Sequence, residues 1–295
     1  MKIIQTIGGI GSQMMAYATY LSLKECYPNE KVYYDTHFFD EKIDNGHNGE
    51  ELKRVFGIVE EKLPKFIDSL LYSKNLFWYL IRGITYKLKI INYFFRDNYN
   101  FEKKIFNLKG NYVIFQMWTS LKYFESIRSR LNGIYMFPEF NEKDYKNIQL
   151  LKKIKETNSI SIHIRRGDYV GNPILGNVVK FSYYEKAVNI VRQKIQNPIF
   201  YVFSDDSEWA KQNITFDNSI YIDWNKGIDS WKDMYLMSMC KCNIIPNSSF
   251  SWWAALLNQN RDKIVINPKY WSKDKGVLED MFIQDANWIV IDNAE

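Results

Sequence analysis

Apolar residues in this chain fall into short β-branched or aromatic runs separated by longer amphipathic stretches, and the alternation is far more regular in the second half. Residues 1–7 read as a strand that ends in Gly8-Gly9-Ile10-Gly11. A helical segment over 12–26 and a second strand over 32–35 follow. From 36 to 110 the pattern is irregular and rich in aromatics and lysines, which reads as helices and loops. Order returns with a strand over 112–115 and a helix over 120–131. After a polar, lysine-rich stretch at 141–157, strands are expected at 159–165, 199–204, 219–222, 242–246 and 263–267. Helices are expected at 182–196, 207–212, 230–240 and 250–258. Such alternation predicts an α/β fold with mainly parallel sheets, whose ligands bind at the carboxyl ends of the strands. With 295 residues, the chain has room for two α/β domains of about 150 residues each. The boundary is placed near residue 150, giving domains 1–150 and 151–295.

The strand ends carry the chemistry. Ser159 to Ile164 run into Arg165, Arg166, Gly167 and Asp168. Two guanidiniums at a strand end suit either a salt-bridge cluster or a planar anion that accepts several N–H donors. His163 and Arg165 share a strand face, and Gly167 frees the backbone to turn, so an anion site is the expectation. In the first loop, Gly9, Gly11 and Ser12 let a ligand approach a helix start. That loop is no Walker motif, and Met14 stands where the third glycine of a dinucleotide fingerprint belongs. Asp205 and Asp206 end another strand, and either can cap the following helix. Asn247, Ser248, Ser249 and Phe250 precede a helix, as hydroxyls and free amides do in a phosphate cradle. Asp233, on the preceding helix, is placed to reach the same crevice.

Composition excludes more than it selects. The formal charge of +5 suits an acidic ligand, but no basic run suggests nucleic acid. Three cysteines without a matching Cys or His pair make neither a disulfide framework nor a zinc site, so buried free thiols are expected. The absence of an export signal and of a long apolar run makes cytoplasmic residence the expectation. Between Phe66 and Phe101, Phe77, Trp78, Tyr79, Tyr86, Tyr93, Phe94, Phe95 and Tyr99 stand among Lys74, Arg82, Lys87, Lys89 and Arg96. Such a mixture suits either an anionic membrane surface or a helical part of the first domain with an aromatic core. The second is the default, and peripheral membrane contact stays open.

Taken in order, Gly8-Gly9-Ile10-Gly11-Ser12-Gln13-Met14, Gln116-Met117-Trp118, Lys122-Tyr123-Phe124, His163-Ile164-Arg165-Arg166-Gly167-Asp168-Tyr169, Phe203-Ser204-Asp205-Asp206 and Asn247-Ser248-Ser249-Phe250-Ser251-Trp252-Trp253 resemble the bacterial α-1,2-fucosyltransferases. The resemblance spans residues 1 to about 258. It implies a GT-B arrangement of two facing Rossmann-like domains, the first on the acceptor side and the second holding a GDP-sugar. It also implies GDP-β-L-fucose as donor, inversion at the anomeric carbon, no cofactor and no metal. By motif position, Arg165 would contact the pyrophosphate, His163 would lie by the guanosine, and Asp233 would bind guanine. Ser248, Ser249 and Phe250 would match the phosphate-side loop. Ser12 stands where the family usually has Asn, which puts any sugar contact there in doubt.

The function expected is transfer of L-fucose to the 2-hydroxyl of a β-galactoside in a surface polysaccharide repeat, with a lipid-linked oligosaccharide as one form of the acceptor. Arg165 and Asp168 are the catalytic candidates, while Asp35 and Asp205 stay open as the base. Alternatives are the same fold with GDP-colitose, a nicotinamide-dependent oxidoreductase, and a non-catalytic nucleotide-sugar-binding protein.

Overall fold

The computed structural model describes residues 1–40, 48–96, 99–273 and 287–293. It divides into two compact units, Met1–Ile134 and Tyr135–Glu295.

In unit 1 the first apolar run becomes β1 (Lys2–Gln5) because Ile3 and Ile4 are entirely buried. Lys2 is buried as well, and its ammonium is held at 2.7 Å by Glu30 and at 2.8 Å by the Gly110 carbonyl. A buried charge persists only when paired in this way. The helix α1 (Ile10–Cys26) is buried along most of its length. Next come β2 (Val32–Asp35), α2 (His37–Asp40), α3 (Glu51–Phe56), α4 (Lys65–Tyr72), α5 (Leu76–Lys87), β3 (Ile91–Phe95) and β4 (Asn111–Phe115). The strands form one parallel sheet in the order β2-β1-β4-β3. The irregular stretch 36–110 therefore hides helices and an edge strand. The helix expected over 120–131 is instead two 3-10 turns, Leu121–Tyr123 and Glu125–Arg130, and the short α6 (Leu131–Ile134). Neighbouring Tyr123 and Phe124 are both fully buried, and the backbone at Phe124 leaves helical geometry (φ −137°, ψ 25°) to bury both.

Unit 2 starts earlier than expected. The lysine-rich stretch is α7 (Tyr145–Glu156), whose Leu150 and Ile154 are buried, so residue 150 lies inside a helix. The rest follows the alternation as β5 (Ser159–Ile164), α8 (Phe181–Lys194), β6 (Ile199–Ser204), α9 (Ser207–Asn213), β7 (Ser219–Ile222), α10 (Trp231–Ser238), β8 (Cys242–Ile244), α11 (Ser249–Leu257), β9 (Ile264–Pro268) and β10 (Ile289–Ile291). All pairings are parallel, in the order β10-β9-β8-β5-β6-β7. Ile160, Ile162 and Ile164 pack on Tyr183, Tyr184, Ala187 and Val191 of α8. Ser161 turns to the other face, where its hydroxyl accepts from Asn243 at 2.8 Å. Cys240 and Cys242 are buried as expected, whereas Cys26, at the end of α1, is exposed.

Candidate active site

Each sheet has one point where the strand order reverses, and a crevice opens there at the carboxyl ends of the strands. In unit 2 that point lies between β5 and β8. The loop after β5 carries the arginines, and the loop after β8 carries the serines. Tyr169 ties them together, its hydroxyl donating to the Asn247 carbonyl at 2.9 Å.

The arginines are not the open anion receptor that the sequence suggested. Arg165 places Nη2 2.7 Å from Asp168 and Nη1 2.8 Å from Asp205. Arg166 places Nε 3.1 Å from Asp206, and its guanidinium stacks 3.8 Å above the Trp209 ring. Two guanidiniums beside three carboxylates leave the cluster at a formal −1. Half-buried guanidiniums keep their N–H groups satisfied by such carboxylates. One donor is still open: the Arg165 Nε is buried with no hydrogen-bond partner. Gly167 is required here because a Cβ would lie 2.7 Å from the Asp205 carboxylate. Asp205 also accepts the Arg166 backbone N–H at 2.8 Å. Asp206 caps α9, accepting from Trp209 N–H at 3.2 Å.

The second donor group is the start of α11. Ser248 sits at its N-cap, yet no side chain caps the helix and its first turn holds no acidic residue. The first N–H groups thus point outward with the positive end of the helix dipole. Asn247 is buried and structural: its amide donates to Leu175 O at 3.1 Å and Trp271 O at 2.9 Å. Ser248 is buried too, while Ser249 and Phe250 are half-buried at the crevice.

His163 corrects another expectation. Its ring is buried, shares a 2.8 Å hydrogen bond with Ser251 Oγ and lies 5.6 Å from the Phe250 ring. Burial, helped by the neighbouring Arg165 charge and opposed by Asp205, pushes its pKa down to about 3. A neutral, enclosed imidazole positions the start of α11 and presents no charge to a ligand. Asp233 lies in the first turn of α10. Helices that connect parallel strands run against them, which brings this turn to the carboxyl edge of the sheet as well. Its carboxyl accepts from Asn225 at 2.7 Å, and burial pushes its pKa up to about 8.

In unit 1 the order reverses between β1 and β4, and here the structure shows what the sequence reading missed. A cavity of about 690 Å³ is lined by Gln5, Asp35, His37, Tyr72, Tyr79 and Phe115 among others. The Tyr72 hydroxyl accepts from Gln5 Nε2 at 2.6 Å and donates to Asp35. His37 stacks on Tyr72 with centroids 3.7 Å apart, and its backbone N–H donates to Asp35 at 3.1 Å. Burial raises the Asp35 pKa against the lowering effect of those hydrogen bonds. A signal existed: polar Gln5 and Asp35 both end buried strands, where apolar residues would otherwise be expected. Aromatic walls with a few convergent polar groups match the usual form of a small-molecule site.

The glycine loop serves this unit structurally. Gly8 adopts φ +83°, and buried Gln13 donates to Gly8 O at 2.9 Å and Gly49 O at 2.8 Å. The Gln13 Oε1 accepts Glu51 N–H at 2.8 Å, which pins the loop to α3. Gly9 is the N-cap of α1, Gly11 is buried within it, and Ser12 is exposed.

Comparison with known proteins now gives this geometry a context. An O-antigen biosynthesis glycosyltransferase (WbnK) of Escherichia coli is 28% identical over 290 residues, spanning 90% of this chain and 92% of the relative. An α-1,2-colitosyltransferase of Escherichia coli is 36% identical over 181 residues, spanning 59% of this chain and 61% of the relative. A galactoside α-(1,2)-fucosyltransferase 2 of Rattus norvegicus is 33% identical over 103 residues, 33% of this chain and 29% of that protein. The oxidoreductase and binding-protein alternatives find no support here. The model of glycosyl transferase family 11 matches residues 11–292, and a match of that extent means that the chain belongs to this family.

Proposed function

We propose that the protein transfers L-fucose from GDP-β-L-fucose, with inversion, to the 2-hydroxyl of a β-galactoside in an O-antigen-type repeat. Support comes from the ordered motifs and from the activities for which the related proteins are named. The observation that carries the reading is the strand-order reversal between β5 and β8, which the uncapped start of α11 and the loop of Arg165 both border. GDP takes the negative charge as the bond from the anomeric carbon to the β-phosphate oxygen breaks. Helix amides and a guanidinium stabilise that charge without a metal ion. The diphosphate displaces the half-exposed Asp168 from Arg165, which Asp205 continues to orient. Unit 1 holds a cavity lined by Asp35 that suits a galactoside, and Asp35 is the candidate base for the proton of its 2-hydroxyl.

The test is incubation with GDP-L-fucose or GDP-colitose and a panel of β-galactosides, with products identified by mass spectrometry and linkage by NMR. An α-1,2-fucosylated product is expected. Turnover of GDP-colitose alone moves the reading to that donor, which lacks one hydroxyl, and no product with either donor ends it.

Asp233 supplies a pH signature. Guanine offers two N–H donors, which require the ionised carboxylate, whereas free Asp233 holds its proton below about 8. Binding below that pH must expel one proton, so GDP affinity should rise about tenfold per unit between pH 6 and 8 and then level off. Calorimetry on wild type and Asp233→Asn checks this. A flat wild-type profile, or the same slope in the variant, removes Asp233 from the guanine site.

A further inference from the structure

The default expectation for the aromatic segment, that its rings form a core, fails on α5. None of its twelve residues is fully buried. One stripe, Trp78 and Ile81, leans on the unit 1 core with Ile67, Leu70 and Leu71 of α4. The adjoining stripe is also apolar: Phe77, Leu80 and Ile84 recur at helical spacing and continue into Leu88, at 52–64% exposed. Tyr93 of the edge strand β3 packs against Tyr86 on the other flank of α5, with ring centroids 6.1 Å apart. A helix that stays apolar well beyond its core-facing stripe is normally enclosed, and an exposed apolar stripe of this kind marks an interaction surface.

Charge identifies the occupant. Residues 65–96 hold six basic residues (Lys65, Lys74, Arg82, Lys87, Lys89 and Arg96) against Asp68 alone. Their net +5 equals the formal charge of the entire chain, so the remainder is neutral in sum. Arg82 turns inward, donating to Leu70 O at 2.7 Å and Ser73 O at 2.8 Å. Lys65, Lys74, Lys87 and Lys89 are exposed around the apolar stripe. A second copy of the chain would bring like charge to this face and be repelled. A bilayer with anionic headgroups offers both an apolar boundary for the stripe and counter-charge for the lysines. At about 18 Å, twelve helical residues are too short to cross a membrane. Among the described residues no helix is long and apolar enough to do so. We infer that α5 forms a docking face by which the protein lies on an anionic lipid surface.

The inference does not depend on the identity of the sugar donor, because vesicle binding can be read without turnover. In flotation assays the intact chain should rise with phosphatidylglycerol–phosphatidylethanolamine vesicles and stay behind with pure phosphatidylcholine. Lys87→Glu with Lys89→Glu should lower partition at least about 30-fold, from roughly 1 kcal/mol for each basic residue near an anionic surface. Leu80→Glu with Ile84→Glu should abolish it. Both double variants should keep the melting temperature and GDP affinity of wild type, as surface changes do. The inference is overturned if the wild type fails to rise with anionic vesicles, or if both variants still rise. A size-exclusion dimer that the variants dissolve, without vesicle binding by wild type, would assign the face to a second copy instead.

Discussion

Arg165→Ala should lower kcat for fucosyl transfer by two to three orders of magnitude, the loss expected when one donor to a developing oxyanion is removed. The effect has two sources in this structure. The Nη2 that the diphosphate takes over from Asp168 disappears, and Asp168 and Asp205 lose the cation that holds them at 2.7 and 2.8 Å. Freed carboxylates then face the departing GDP and repel it. Arg165→Lys should recover little, because one compact ammonium does not match the spread, planar donor positions by which the guanidinium reaches Asp168 and Asp205. Steady-state kinetics with varied donor, alongside melting curves, provide the check. Activity within tenfold of wild type at unchanged stability would reduce Arg165 to a salt-bridge residue.

Asp35→Asn should cost about a thousandfold in kcat, within the range of a positioned general base, and leave GDP affinity unchanged. The split follows from location: Asp35 belongs to unit 1, whereas the donor crevice is built entirely from unit 2. Burial raises the Asp35 pKa from its ordinary value, so its ionised form is lost as pH falls and kcat should show an acidic limb. That limb should vanish in the asparagine variant. Tyr72→Phe removes the hydroxyl that donates to Asp35 and should shift the limb to higher pH, since a hydrogen bond to the carboxylate is lost. A kcat for Asp35→Asn within threefold of wild type would exclude this carboxylate as the base.

The second unit was legible because its strands are buried on both faces. A run such as Ser159–Ile164, with every residue buried, reads as a strand without knowledge of its neighbours, and the chemistry follows directly at its end. Unit 1 was harder for reasons visible in α5 and β3. Periodicity reports an apolar face but not what covers it, so exposed Phe77 and Leu80 read like core residues. The Asp35–Tyr72–Gln5 group was hidden because its members come from β2, α4 and β1, brought together only by the sheet. In the donor crevice, the residue types suggested an anion site or a salt-bridge cluster and put Asp168 beside Arg165, but the second carboxylate, Asp205 from the adjacent loop, was invisible to a reading of Arg165 alone. For His163, alternation gives the side its ring faces, not that Ser251 and Phe250 enclose it.

The pairing of both arginines with aspartates has an effect on selection in the cell. A crevice whose arginines are already paired with aspartates, with no surplus positive charge, is a poor trap for inorganic phosphate, sulfate or stray nucleotides. Entry instead requires a ligand that binds through enough contacts at once to compensate for breaking an existing ion pair. Discrimination is thereby set by the ligand's reach along the crevice, and far less by its charge.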